Sequence, residues 1–224
     1  MIVNADMLEY IKTIPSGSVN CVLTDPPYKQ DAHRRGIAKN RKCYKEMAKF
    51  TNMDNDWYSE EILKEYVRVC EFPNIFLFCG KRDVYPCLKF AEENGYNYFI
   101  LPLCKRTPVP LTNNTWLSSE FAVHITNKKL VYNKDYHLKL PYFLTGNEKE
   151  TEHPNEKNIY DIKRIILNIT REGDNVLDCF SGSGTVACAC GELNRNFIAI
   201  EIDENYYKDS VIRYEEHIKQ QKLF

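Results

Sequence analysis

The chain has 224 residues, of which 43% are hydrophobic, 12% aromatic and 27% charged. That composition builds a folded chain with a core, and it excludes collagen-like, low-complexity and wholly disordered structures. A formal net charge of −1 gives no long-range pull toward a polyanion, so any nucleic-acid contact must come from a local patch.

In chain order, short apolar runs at 19–24, 74–79, 96–103, 120–126, 175–178 and 196–201 read as strands. Between and after them, Ile62, Leu63, Tyr66, Val67 and Cys70 recur at helical spacing, as do Ile159, Ile162, Ile165, Ile166 and Ile169. The run 186–193 is helical, and Tyr207, Val211, Tyr214 and Ile218 mark a last amphipathic helix. This alternation predicts an α/β domain spanning 1–224 on a mainly parallel sheet. No long helical segment separates the last two strands, which points to an antiparallel strand at one edge.

Two stretches depart from the alternation. A basic loop at 29–58 carries eight Lys or Arg between Lys29 and Lys49, against Asp31 and Glu46. A second stretch at 128–152, rich in Tyr, Asn, Lys and Glu, has no clear period and reads as a linker or small recognition insert.

No apolar run approaches the roughly 18 residues of a membrane span, and the start lacks the pattern of an export signal. The nine cysteines follow no regular framework, so the expectation is a cytoplasmic protein in a reducing compartment, with no membrane partner. Cys188 and Cys190 share one helix without a matching His or Cys pair, and no metal site is read from them. His33, His124, His137 and His217 are isolated, and Trp57 and Trp116 read as packing residues.

The first chemical constellation is Asp178, Cys179, Phe180, Ser181, Gly182, Ser183, Gly184 and Thr185, between an apolar strand and a helix. Glycines at 182 and 184 allow a tight turn and let a ligand approach bare amides, as a nucleoside cofactor site requires. A turn without any ligand has the same look. A phosphate-cradling loop fits less well, because no lysine precedes Thr185. Seventeen residues beyond Gly184, Glu201 ends an apolar strand, where a carboxylate can hold both hydroxyls of an adenosine ribose.

The second constellation is Asp25, Pro26, Pro27 and Tyr28, directly after the strand at 19–24. Two consecutive prolines cannot continue a central strand, so they force a rigid extended turn at a strand's carboxyl end, where open α/β sheets bind ligands. A carboxylate and a fixed backbone carbonyl can there accept both hydrogens of an exocyclic amino group, while the ring of Tyr28 stacks on a flat base.

Together the two constellations resemble the DNA amino-methyltransferases that use S-adenosylmethionine, whose signatures are a DPPY-type tetrapeptide and an F-x-G-x-G turn. The tetrapeptide precedes the turn by about 150 residues, similar to the circularly permuted order of the beta class. The resemblance implies a Rossmann-like methyltransferase fold with a seven-stranded sheet and helices on both faces, the chain beginning at its third strand at 2–5. It also implies that Asp6 contacts the cofactor's adenine and that Asp178, Phe180, Gly182, Gly184 and Thr185 line the cofactor pocket, with Glu201 on the ribose. His153 to Asn158 resembles an HP-x-x-KP segment, making Lys157 a cation at the cofactor's methionine end, although Asn158 replaces the final proline. Lys105 with Glu120 resembles a weaker pattern near the target base.

The activity implied is methyl transfer to the amino group of a flipped-out adenine in double-stranded DNA, with Asp25 and the Pro26 carbonyl as acceptors. Asp at the head of the tetrapeptide accompanies adenine in that family, and Ser accompanies cytosine. Arg34, Arg35, Lys39, Arg41 and Lys42 become the phosphate-tracking surface. A homodimer, a partner nuclease and a recognition subunit stay open as further partners, in a bacterial or phage-encoded setting. Open too are the same chemistry on cytosine or RNA adenine, a non-catalytic recognition subunit, and an NAD-dependent oxidoreductase, which leaves the tetrapeptide unexplained.

Overall fold

The computed structural model describes residues 1–27, 56–105, 120–127, 143–145 and 156–221. Eight strands form one sheet: β1 (Ile2–Asn4), β2 (Cys21–Thr24), β3 (Asn74–Cys79), β4 (Asn97–Lys105), β5 (Glu120–Thr126), β6 (Phe143–Thr145), β7 (Asn175–Asp178) and β8 (Asn196–Glu201). Their order is β1-β8-β7-β2-β3-β5-β4-β6. Helices α1 (Met7–Thr13), α2 (Glu60–Val69) and α3 (Val84–Glu93) follow β1, β2 and β3; α4 (Ile159–Ile169), α5 (Thr185–Glu192) and α6 (Glu204–Gln221) follow β6, β7 and β8.

The strands are nearly continuous apolar runs because both faces of the sheet are covered. In β2, Val22 points into the core shared with α1, α2 and α3, while Cys21 and Leu23 point into the core shared with α4 and α5. The isoleucine stripe of α4 is buried as its spacing predicts, and so are Leu63 and Tyr66 of α2. Helices α1 and α3 were not read from the sequence. The first is only two turns long, and the second carries Pro86 in its first turn, where the missing N–H has no helical partner to lose.

The mainly parallel sheet with helices on both faces is borne out, with one correction. Among the described residues the expected seven strands are joined by the three residues of β6, which pair in parallel with β4. The antiparallel strand is β5, and it lies inside the sheet between β3 and β4, not at the edge. The pair read as lacking a crossover, β7 and β8, is joined by α5 and runs parallel. Strand β5 instead runs antiparallel to both of its neighbours, β3 and β4.

This interior reversal has a consequence for the site. The parallel strands β1, β8, β7, β2 and β3 deliver their carboxyl ends to one edge of the sheet, whereas β5 delivers its first residue, Glu120, to that same edge. Helices leaving β2 and β7 go to opposite faces, so the crevice opens between these two neighbouring strands.

Candidate active site

Thr24 ties the two motif-bearing strands together. Its hydroxyl donates to Asp178 Oδ1 at 2.7 Å and accepts from the Cys179 amide at 3.0 Å. Asp178 Oδ1 also accepts from the Phe180 amide at 3.1 Å. The carboxyl is 3% exposed, and burial lifts its pKa to about 7 against the pull of these donors, with the charges of Asp25 and Glu201 adding to the rise.

After β7 the glycine turn is stitched to β8. The Ser181 amide donates to Ile200 O at 2.9 Å, and the Gly182 amide donates to Glu201 Oε2 at 2.8 Å. Glu201 Oε1 accepts from the Asp203 amide at 2.9 Å. Each oxygen keeps a second lone pair, so the acid can still accept from a vicinal diol. Burial raises the Glu201 pKa, while the Asp203 and Gly182 amides oppose the rise. Gly184 adopts φ +77° at the start of α5, and a Cβ there would stand 3.0 Å from Ser210 Cβ of α6. That glycine is required by the helix behind it as much as by anything in front.

Asp6, on the neighbouring strand end, caps α1: its Oδ1 accepts from the Leu8 amide at 2.7 Å and the Glu9 amide at 3.3 Å. Phe180 packs edge-on against Trp57, ring centroids 4.8 Å apart. Trp57 and Tyr58, at the end of the stretch read as a basic loop, are core residues 4% and 2% exposed. The Tyr58 hydroxyl donates to Phe78 O at 2.7 Å and lies 3.5 Å from Pro26 O, too far to occupy that carbonyl firmly.

Asp25 stands just past β2. Its Oδ2 lies 3.1 Å from Lys157 Nζ, while Oδ1 is buried and has no hydrogen-bond partner among the described residues. Burial raises its pKa most; Lys157 opposes and Glu120 adds. Lys157, read from the sequence as a cofactor cation, is placed between Asp25 and Glu120, 2.9 Å from Glu120 Oε2, with its ammonium 4.7 Å above the Phe78 ring. The adjacent Glu156 pairs with Arg213 of α6 at 2.7 Å. Arg213 also donates to Ser183 O at 3.0 Å and Thr185 Oγ1 at 3.1 Å.

The structure therefore brings Asp6, Asp25, Pro26, Lys157, Asp178, Phe180, Gly182, Gly184, Thr185 and Glu201 to the carboxyl edge of adjoining strands. Pro27 follows in the same turn. Tyr28, Arg34, Arg35, Lys39, Arg41, Lys42, Trp116, His153 and the Lys105 side chain lie outside the described residues, as does the stretch 128–152 apart from β6. Sequence reasoning missed Glu156, Arg213 and the bridging role of Thr24. Thr24 and Glu156 adjoin quoted motif residues, but Arg213 is one charge on a helix full of charges.

A cationic ligand carrying a nucleoside fits this donor set. Asp25, Asp178 and Glu201 are close enough for the other two charges to raise Asp178, so the crevice favours positive charge, and Glu201 has lone pairs for a diol. S-adenosylmethionine has both features, a sulfonium with an ammonium and a ribose.

A family model described as DNA methylase matches residues 112–212. The Type II methyltransferase M2.DpnII of Streptococcus pneumoniae is 24% identical across 93% of this chain and 87% of its own length. M.HinfI of Haemophilus influenzae is 25% identical across 92% of this chain and 65% of its own. The crystal structure of the M1.HpyAVI–SAM complex superposes with a TM-score of 0.73 at 28% identity, covering 95% of this chain and 98% of that one. The cytosine-N4-specific PvuII DNA methyltransferase superposes at 0.70 with 16% identity, over 97% and 89%, and at that identity it speaks for the fold alone.

Proposed function

We propose that this chain, which belongs to the S-adenosylmethionine-dependent DNA methyltransferases, methylates the exocyclic amino group of adenine at a specific site in double-stranded DNA. The observation that carries the reading is Asp25 Oδ1, a buried carboxylate oxygen without a partner among the described residues, one turn from a glycine-lined cofactor crevice. An unmet buried acceptor is costly unless a ligand satisfies it.

When bound, S-adenosylmethionine supplies an electrophilic methyl group. Glu201 holds its ribose, Asp6 reaches its adenine, and Asp178, Phe180, Gly182, Gly184 and Thr185 line its pocket. Asp25 and the Pro26 carbonyl accept the two hydrogens of the target amino group, drawing its lone pair out of conjugation with the ring, with Pro27 keeping the turn rigid. Tyr28 stacks on the flipped base, returning about 1–3 kcal/mol against an extrusion cost of a few kcal/mol. Arg34, Arg35, Lys39, Arg41 and Lys42 track phosphates, so binding weakens as salt rises.

The aspartate at the head of the tetrapeptide supports adenine over cytosine, while the cytosine-N4-specific structural neighbour fits the same fold. The test is incubation of the protein with S-adenosylmethionine and unmethylated duplex DNA, followed by digestion to nucleosides and mass spectrometry. N6-methyladenine is the expected product. N4-methylcytosine overturns the choice of base, and methylation of single-stranded RNA alone overturns the choice of polymer.

A further inference from the structure

We infer that Lys157 is a positioning residue for Asp25, seated by Glu120 and by the Glu156–Arg213 pair, and that it decides which oxygen of Asp25 meets the target amino group. The inference rests on Asp25 being the acceptor proposed above. Lys157 Nζ sits 3.1 Å from Asp25 Oδ2 and 2.9 Å from Glu120 Oε2, over the face of Phe78, with its side chain 19% exposed. An ammonium enclosed by two carboxylates and an aromatic ring is a fixed point rather than a mobile surface charge. With Oδ2 engaged by the lysine, Oδ1 is the oxygen left buried and unmet among the described residues, and the carboxylate plane has one orientation.

The neighbouring residue explains why the lysine stays there. Glu156, whose side chain is 2% exposed, is anchored through Arg213 to Ser183 and Thr185 of the cofactor turn. Two consecutive side chains thus reach two half-sites, Glu156 toward the cofactor turn and Lys157 toward the target carboxylate. The second link comes from the reversal of β5, which brings Glu120 to the carboxyl edge of the sheet beside β3.

Asp25 faces charge from several elements. Lys157 and Glu120 interact with it directly, Asp178 lies on the adjacent strand β7, and the Tyr58 phenol stands ahead of α2. Burial and Glu120 favour a protonated Asp25, while Lys157 favours the carboxylate that accepts from an amino group. Removing the lysine therefore moves the acid limb of the rate profile upward, and neutralising Glu120 moves it downward.

The experiment measures pH–rate profiles for single-turnover methyl transfer at saturating cofactor, with cofactor Kd measured by calorimetry, in the wild type and in Lys157→Met, Lys157→Arg, Glu120→Gln and Asp25→Ala. In Lys157→Met the limb should rise by about one pH unit. The rate near neutrality should fall about 10- to 100-fold, and cofactor Kd should change by less than about threefold. Lys157→Arg should bring the limb back, and Glu120→Gln should lower it. An unmoved limb in both Lys157→Met and Glu120→Gln overturns the inference, as does a cofactor Kd raised about tenfold or more in Lys157→Met with its limb in place, which assigns the lysine to the cofactor. If Lys157→Met does not fold, the downward shift in Glu120→Gln carries the decision alone. Wild-type turnover in Asp25→Ala is a different failure, because it removes Asp25 as acceptor and with it the function reading.

Discussion

Glu201, 7% exposed, and Asp25, whose side chain is 20% exposed, are carboxylates at the carboxyl ends of parallel strands, yet their oxygens are engaged in different ways. Both oxygens of Glu201 accept a backbone amide, from Gly182 and from Asp203, whereas Asp25 gives one oxygen to Lys157 and keeps the other unmet among the described residues. Backbone donors cannot rotate away, so the cofactor half of the crevice is organised before any ligand arrives. The target half is held by side-chain charge and has one acceptor in reserve. A group needed to bind the same cofactor every cycle gains from preorganisation, while a group that must strengthen its hydrogen bond as charge develops gains from being unsatisfied in the ground state.

The sharpest way to break this contrast is Asp25→Ala. Single-turnover methyl transfer should fall by about 10³-fold or more, because the acceptor acts most strongly as the amino nitrogen becomes cationic. Cofactor Kd should stay within about twofold, since no cofactor ligand is removed. A variant that turns over at the wild-type rate removes the distinction between the halves.

Glu201→Gln attacks the other side. The amide can accept from only one of the two backbone N–H groups and offers an NH₂ where the second expects an acceptor. Cofactor affinity should drop about 10- to 100-fold, the range for losing a charge-assisted hydrogen bond. The rate at saturating cofactor should be nearly unchanged. Equal losses in affinity and rate would show that the halves are not separable. Tyr28→Ala should have a smaller effect confined to the target, weakening duplex binding by about 10-fold, in the lower half of the stacking range. Titration of labelled duplex DNA at saturating cofactor checks it.

How far these halves were legible depends on how local their determinants are. The glycine turn, Glu201, Asp25 and the six longer strands declare themselves through short apolar runs and motifs of a few adjacent residues. The β3, β5, β7 and β8 boundaries agree residue for residue with their apolar runs. The position of β5 inside the sheet was not legible, because strand order depends on pairings among distant segments that period-2 patterning does not encode. The same limit hid Arg213 and the pairing of Lys157 with Asp25 and Glu120. Each acts on a partner that the fold brings close from another segment, 28 residues away for Arg213 and Thr185 and across the whole middle of the chain for Lys157 and Asp25.

Asp178 lies where the two halves meet, bonded to Thr24 on one side and exposed to the charges of both Asp25 and Glu201, and it yields the subtlest prediction. Its folded pKa of about 7 lies above the ordinary aspartate value of 3.8, so the folded state binds the proton more tightly than the unfolded chain. The resulting stability is fully present below about pH 4 and is lost as pH rises through about 7. Asp178→Asn keeps an oxygen for the Thr24 hydroxyl and the Phe180 amide but cannot ionise, so its Tm should match or exceed the wild type at pH 8 and lose that advantage at pH 5. A cationic cofactor selects the ionised form, so S-adenosylmethionine should bind the wild type more tightly as pH climbs from 6 to 8, and the asparagine variant should lose that slope. S-adenosylhomocysteine, whose sulfur is uncharged, should show a shallower slope in the wild type. Matching slopes for the two ligands would mean that Asp178 responds to something other than the sulfonium, and that its raised pKa serves the Thr24 bridge between the strands.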